Sequence, residues 1–252
     1  MRNKIKQLNF MFFTTLVAIL IWMMSPTVKG FVREDLNAFP LSEYEAHYTV
    51  NWLGLYAGES VHKLHRQKNG HYHFEARTEP NLQFLPYHYM ESSDFAWQAG
   101  EILPQNYFYN IQEGTRRKKG NVLFDYQSHK IRSPQTKEHW ETKLTVGIQD
   151  KLTQTLSLRQ ALLKGDTTLN FIVAEQDKLK NYNFVILGEE RLNTKIGVLE
   201  TVKLEHISRK GHRTTMWFAK KLDYLPVKMA QTRHGKQVAG GEILSFTPKQ
   251  RP

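Results

Sequence analysis

The stretch MWFAKKLDYLPVKMAQTRHGKQVAGGEILSF, Met216 to Phe246, decides the fold. Two runs of alternating apolar and polar residues flank Leu225-Pro226, and a third follows the turn-forming Arg233-His234-Gly235-Lys236. Alternation with period two marks strands that bury one face. It sets Leu225, Val227 and Met229 on a common face. Pro226 belongs at a strand start or a sheet edge, where its missing N–H is tolerated. No residue with a catalytic look stands at the corners of this meander, so it reads as a structure that holds rather than reacts.

The same period runs through most of the chain. YEAHYTVNW puts Ala46, Tyr48, Val50 and Trp52 on one face, and Gly54 and Gly58 then mark a turn or bend. Asn69-Gly70 is the preferred two-residue type I′ corner, pairing Lys68 with His71 and Arg66 with His73. Further strands are expected in YMESSDFAW, QNYFYNI and NVLFDYQ, and again from TLNFIVA onward. One stretch breaks the alternation. In QDKLTQTLSLRQALLKGD, Asp150 is an N-cap, Leu152, Leu156 and Leu163 form a helical stripe, and Gly165 is a stop, which predicts a helix over Lys151 to Lys164.

The expected fold is therefore mainly β: roughly eleven strands, too many for a flat open sheet, curled into one strongly curved antiparallel sheet. The single amphipathic helix packs at the concave face of this half-open barrel.

The first thirty residues read as a cleavable signal peptide. Arg2, Lys4 and Lys6 precede the fifteen-residue apolar run Phe10 to Met24, and small residues follow before Phe31. Fifteen helical residues rise about 22 Å, short of the ~30 Å hydrocarbon core, which disfavours an uncleaved anchor. Residues 31–252 form one expected domain, in a periplasmic location. The chain has no cysteine, which excludes thiol catalysis, Cys-based zinc sites and a lipidated N-terminal cysteine. The formal charge of +11 falls to +7 once the four bases of residues 1–30 are removed, 31 basic against 24 acidic residues. That excess favours an anionic envelope surface, and the export signal argues against nucleic acid.

The order of these motifs resembles an exported bacterial family, the "domain of unknown function 3108" family. The matching pieces are YTVNWLGLYAGES, ILPQNYFYNIQEGTRRKKGNVLFDY, IQDKLTQTLSLRQALLKG, LGEERLNTKIGVLETVKLEHISR and MWFAKKLDYLPVKMAQ, spanning Tyr44 to Phe246. The family implies export and little else. The closing stretch is also similar to the tail of periplasmic lipoprotein carriers, whose incomplete antiparallel barrel encloses an apolar cavity closed by helices. That likeness is an analogy of fold.

The candidate chemistry is sparse. His71 and His73 share a strand face with cations and only Glu75 beside them, so they read as solvated strand residues rather than metal ligands. No G-x-S-x-G elbow and no phosphate-binding glycine loop is present. Arg116, Arg117, Lys118 and Lys119, between Gly114 and Gly120, form either a solvated hairpin end or a contact for an anionic surface. The apolar connection NLQFLPYHYM, Asn81 to Met90, covers the core or a cavity. Candidate cavity walls are Tyr48, Trp52, Phe84, Tyr89, Tyr107, Leu152, Leu156, Trp217, Leu225, Val227 and Met229. The leading expectation is a monomeric, non-catalytic carrier of a lipid or acyl-type ligand, without cofactor or metal. An envelope scaffold acting through the basic patch or a sheet edge is the alternative, and an envelope hydrolase the third reading.

Overall fold

The computed structural model describes residues 38–80, 87–135 and 139–249. The expected signal segment and Phe84 lie outside the described residues. Leu36–Pro252 forms one compact unit. The first eight strands are β1 (Tyr44–Trp52), β2 (Leu55–Arg66), β3 (Tyr72–Pro80), β4 (Tyr87–Gln98), β5 (Glu101–Glu113), β6 (Arg116–Asp125), β7 (Lys130–Ser133) and β8 (Trp140–Lys143). The helix α1 (Lys151–Lys164) follows, then β9 (Leu169–Glu175), β10 (Lys178–Thr194), β11 (Gly197–Ile207), β12 (Arg213–Ala219), β13 (Leu225–Arg233) and β14 (Lys236–Pro248). Among the described residues no helix is long and apolar enough to cross a membrane.

All fourteen strands belong to one antiparallel sheet, in the order β8-β7-β6-β5-β4-β3-β2-β1-β14-β13-β12-β11-β10-β9. It consists of two meanders joined where β1 pairs with β14, with Tyr48 opposite Ile243 and Trp52 opposite Ala239. The edge strands β8 and β9 do not pair with each other, so the barrel stays open. The sequence reading undercounted the strands because short pieces such as Lys130–Ser133 and Trp140–Lys143 carry too few residues to show a period.

Two glycines in β14 bring its neighbours close, Gly241 at the joint with β1 and Gly240 beside β13. A methyl group at Gly241 would stand 2.3 Å from the Thr49 carbonyl oxygen, and one at Gly240 would stand 2.8 Å from that of Met229. Strand glycines of this kind mark a close backbone approach.

Turn chemistry departs from expectation at one corner. Asn69-Gly70 does not make a two-residue turn. Gln67 donates its N–H to the His71 carbonyl (2.7 Å), and Gly70 donates to Gln67 (3.0 Å) with φ of +86°. The Asn69 side chain meanwhile accepts from the His71 N–H (3.0 Å), which favours this longer loop. The register slips by one residue, so His65 faces His73 and Arg66 faces Tyr72. Two-residue turns with positive φ at both positions occur instead at Leu53-Gly54, Ala99-Gly100 and His234-Gly235.

The helix has the predicted boundaries. The Asp150 carboxylate accepts from the Leu152 and Thr153 N–H groups (2.8 Å each), and the Thr153 hydroxyl accepts from the Asp150 N–H (3.0 Å), completing a capping box. Gly165 closes the other end in the left-handed region. The burial pattern corrects the single-stripe reading. Leu152 and Leu156 enter one core cluster, Leu158 and Leu162 a second, and Leu163 is exposed. Thr153, Gln154, Arg159 and Gln160 are buried as well, so α1 is enclosed rather than laid on a surface.

Pro226 is the second residue of β13. A bulge lies beside it, because Trp217 pairs with Lys228 while Phe218 pairs with Pro226. The extra residue, Val227, absorbs the missing N–H in an interior strand.

The Gly241→Ala substitution should destabilise the protein by about 1–3 kcal/mol, seen as a lower urea midpoint at unchanged slope. A loss below about 0.5 kcal/mol would mean that the β1–β14 joint tolerates separation.

Candidate functional site

Cross-strand partners share a face, so the register defines the lining of the concave side. One row runs Ile243, Tyr48, Ser60, Thr78, Tyr89 and Ile111 from β14 to β5. The next holds Ala46, His62, Ala76, Glu91 and Tyr109, and a third holds Tyr44, Leu64, Phe74, Ser93 and Tyr107. The surface is aromatic and aliphatic with a few polar groups set into it.

α1 lies against this lining and brings its own polar groups. Lys151 donates to the Tyr89 hydroxyl (3.0 Å) and to Glu91 (3.2 Å), and its ammonium stands 5.6 Å from the Tyr89 ring centre. The Tyr107 hydroxyl donates to the same Glu91 carboxylate, which is 3% exposed. Burial alone would lower the Lys151 pKa; the Glu91 charge overrides it and holds the ammonium well above its ordinary value. Burial, reinforced by Glu91, raises Tyr89 and Tyr107, so both phenols stay protonated donors.

Asp150 is fully buried and also accepts from the Ser93 hydroxyl (2.5 Å). Burial raises its pKa to about 6, against the lowering effect of those hydrogen bonds. Burial lowers His62 to about 4, with Glu91 pulling the other way. Further along α1, Arg159 is 1% exposed. It donates to the carbonyls of Asp223 (3.0 Å) and Leu222 (3.4 Å) and lies 5.3 Å from the Tyr44 ring centre. Its Nη1 and the Tyr48 hydroxyl, both buried, have no hydrogen-bond partner among the described residues.

The candidate walls divide. Tyr48, Tyr89 and Tyr107 line the concave face, with Leu152 and Leu156 of α1 packed in the same core cluster. Trp52 does not join them: it is 48% exposed, the last residue before the β1–β2 turn and beyond the end of the core. The presumed common face of Leu225, Val227 and Met229 is broken by the Val227 bulge. Leu225 pairs with Ala219 and Met229 with Met216, and an odd spacing on β12 sends the two to opposite faces. Met229 stays on the concave side, 36% exposed. Leu225 and Val227 are fully buried.

Trp217 shares a face with Lys203 and Lys228, opposite Met216 and Met229, yet it is buried and belongs to the same core cluster as Tyr48, Leu225 and Val227. Its indole N–H donates to Glu190 (2.9 Å), with the two ammonium groups 5.0 and 5.4 Å from the ring. Arg116, Arg117, Lys118 and Lys119 are exposed at the start of β6. His73 meets Asp94 (2.8 Å), and among the described residues no three His, Asp or Glu side chains gather to hold a metal ion. Sequence reading missed Glu91, Lys151, Arg159 and His62. One signal was available: Glu91 and Ser93 alternate with outward residues at the spacing of Tyr89 and Phe95, placing polar groups on a core face.

The sequence matches the model of the family described as "Protein of unknown function (DUF3108)" over residues 43–236. The chain belongs to that family. Among solved structures it is similar to a beta-barrel-like protein of domain of unknown function DUF1849 from Brucella abortus. The two share 10% identity at a TM-score of 0.56, over 84% of this chain and 100% of that one. MucB in complex with MucA matches at 9% identity and a TM-score of 0.35, over 84% of this chain and 52% of that one. A DUF1329 family protein from Desulfovibrio piger matches at 11% and 0.22, over 82% and 85%. The first supports the curved-sheet fold; the other two carry no argument. No curated protein matches the chain.

The two shifted groups oppose each other in pH. Folded Asp150 keeps a proton that the unfolded chain releases above 3.8, so its contribution falls as pH rises from 3.8 to about 6. Folded His62 refuses a proton that the unfolded chain binds below 6.5, so its contribution is complete above 6.5 and is lost as pH falls towards 4. Each is worth about 3 kcal/mol. These two contributions should therefore nearly offset each other from pH 4 to 6.5. Asp150→Asn should rise in stability across that window and His62→Gln should fall, as read by urea unfolding at a series of pH values. Parallel slopes in all three proteins would contradict this.

Proposed function

We propose that this chain is a non-catalytic periplasmic carrier or binding protein that holds an apolar, acyl-type ligand between the concave sheet face and α1. The observation that carries the reading is the lining itself: aromatic and aliphatic rows in which the buried Tyr48 hydroxyl and Arg159 Nη1 are left unsatisfied. A buried donor without a partner costs about 1–3 kcal/mol, which the polar head of a bound amphiphile would offset. The apolar run Phe10 to Met24 and the lack of cysteine support export. The beta-barrel-like fold of the DUF1849 protein is consistent with the same architecture.

In the described state α1 fills the concave side, so loading requires it to shift. Its hold combines the apolar packing of Leu152, Leu156, Leu158 and Leu162 with directional bonds: Asp150 to Ser93, Gln160 to the Gly100 carbonyl (3.0 Å), and Arg159 to the carbonyls of the β12–β13 connection. A ligand that displaced the helix would have to replace these bonds, because a buried polar group left unpaired is costly.

Native mass spectrometry of protein purified from the periplasm without detergent, followed by organic extraction, should reveal a stoichiometric acyl species. Arg159→Met should stay folded with some loss of stability, since an apolar side chain replaces a buried charge but leaves the Asp223 and Leu222 carbonyls without their donor, and should lose about tenfold in affinity for a fluorescent fatty acid. A ligand-free mass together with no fatty-acid binding would reject the carrier reading and favour the scaffold one.

A further inference from the structure

Every neighbouring pair in the sheet is antiparallel, so the β1–β2, β5–β6, β9–β10, β11–β12 and β13–β14 turns all lie at one end. That this is a single rim is confirmed across the open side, where the Lys118 ammonium on β6 donates to the Gln176 side chain in the β9–β10 turn (3.1 Å).

At the middle of this rim the β1–β2 turn presents Trp52, Leu53, Leu55 and Tyr56, which are 48%, 61%, 68% and 43% exposed. Hairpin tips ordinarily carry polar or small residues, and a cluster of large apolar side chains on one marks an interaction site. The tip is held firmly: Leu53 donates its N–H to the Val238 carbonyl (3.0 Å), fixing it beside the β13–β14 turn.

The cations around the tip differ from those along the strands. Lower down, Lys228 pairs with Glu242 and Lys203 with Glu190, and at the β9–β10 and β11–β12 turns Lys180 pairs with Glu175 and Arg213 with Glu205. At the rim, Arg233 and Lys236 flank the β13–β14 turn, Arg209 and Lys210 occupy the β11–β12 turn, and Arg116 and Arg117 follow the β5–β6 turn. None of these six lies within ion-pair distance of a carboxylate among the described residues. A groove of about 170 Å³ opens between the β11–β12 turn and β13, lined in part by His212, Arg213 and Arg233; Arg213 is held by Glu205, which leaves Arg233 to face a small anionic group.

We propose that this rim is a membrane-docking surface that seats on a bilayer containing anionic lipids, with Leu53 and Leu55 in the interface. The order of side chains fits that occupant. Leucines stand at the apex, with an aromatic ring on each side at the depth where Trp and Tyr settle at a membrane surface. The cations are spread over three separate turns around the apex. Laterally mobile anionic headgroups meet such a spread without needing a fixed partner pattern. Docked this way, the rim end of the concave face, where Tyr89 and Lys151 lie, is turned towards the lipid. The docking itself does not depend on the carrier reading.

The test is co-sedimentation of residues 36–252, which contain the whole described core, with vesicles of phosphatidylethanolamine and phosphatidylglycerol or of phosphatidylcholine alone. Binding to the anionic vesicles should exceed that to phosphatidylcholine by about tenfold and should fall away in 0.5 M salt, roughly three times the physiological level. Leu53→Ser/Leu55→Ser and, separately, Arg233→Glu/Lys236→Glu should each reduce binding about fivefold or more, with unchanged circular dichroism because all four side chains are at the surface. Two results would overturn the proposal. One is equal binding by wild type and both variants. The other is absence of vesicle binding, whether or not sedimentation shows self-association that the leucine variant abolishes, which would assign the tip to a second copy of the chain.

Discussion

The structure depends on the two residues that enter the helix. At Gln149 and Asp150 the chain leaves the first meander and begins the second. Gln149 exchanges backbone hydrogen bonds with β9 (2.9 Å from its N–H to the Ile172 carbonyl, 2.8 Å from the Ala174 N–H to its own). Its side chain donates to the Ile102 carbonyl of β5 (3.1 Å). Asp150 caps α1 and takes the Ser93 hydroxyl of β4. Two adjacent residues thus bind both halves of the sheet and the helix. These bonds sit in a buried, low-dielectric setting, where a satisfied polar group fixes position and a lost partner is costly. The curvature of the sheet and the placement of α1 across it follow from this anchor.

Much of that arrangement is legible in the sequence. Period-two alternation names the long strands, and the Asp150-to-Gly165 punctuation gives the helix to the residue, because capping is local chemistry. Legibility ends where structure depends on partners distant in the chain. The Asn69-Gly70 corner is expected from a local rule, yet that rule is overruled by the hydrogen bond that the Asn69 side chain accepts from the His71 N–H. The common face of Leu225, Val227 and Met229 requires an unbroken strand, and the bulge beside Pro226 breaks it. The interior charges were the hardest to foresee. Nothing local about Lys151 or Arg159 distinguishes them from surface helix residues; only the strands that close over them make them interior.

The concave side combines two kinds of surface that are usually kept apart. Rows of Tyr, Leu, Ile and Phe supply apolar area, while Glu91, Lys151, Asp150, His62 and Arg159 place titratable groups among them. Glu91 and Lys151 compensate each other directly, and Arg159 relies on backbone carbonyls and the Tyr44 ring. An interior of this kind has less packing energy than an all-apolar one of equal size, and it fixes the helix on the sheet through directional contacts that an apolar core lacks.

The pairing of β1 with β14 has a consequence in time. These strands are separated by nearly the whole length of the sheet-forming chain, and the loop they close is among the longest the fold contains. Contacts at such separation form late and slowly. Until β14 is available, β1 lacks one of its two neighbours and the two meanders have no shared ladder. The chain therefore spends its synthesis without its final architecture, and the sheet is completed only once nearly all of its strands are available to pair.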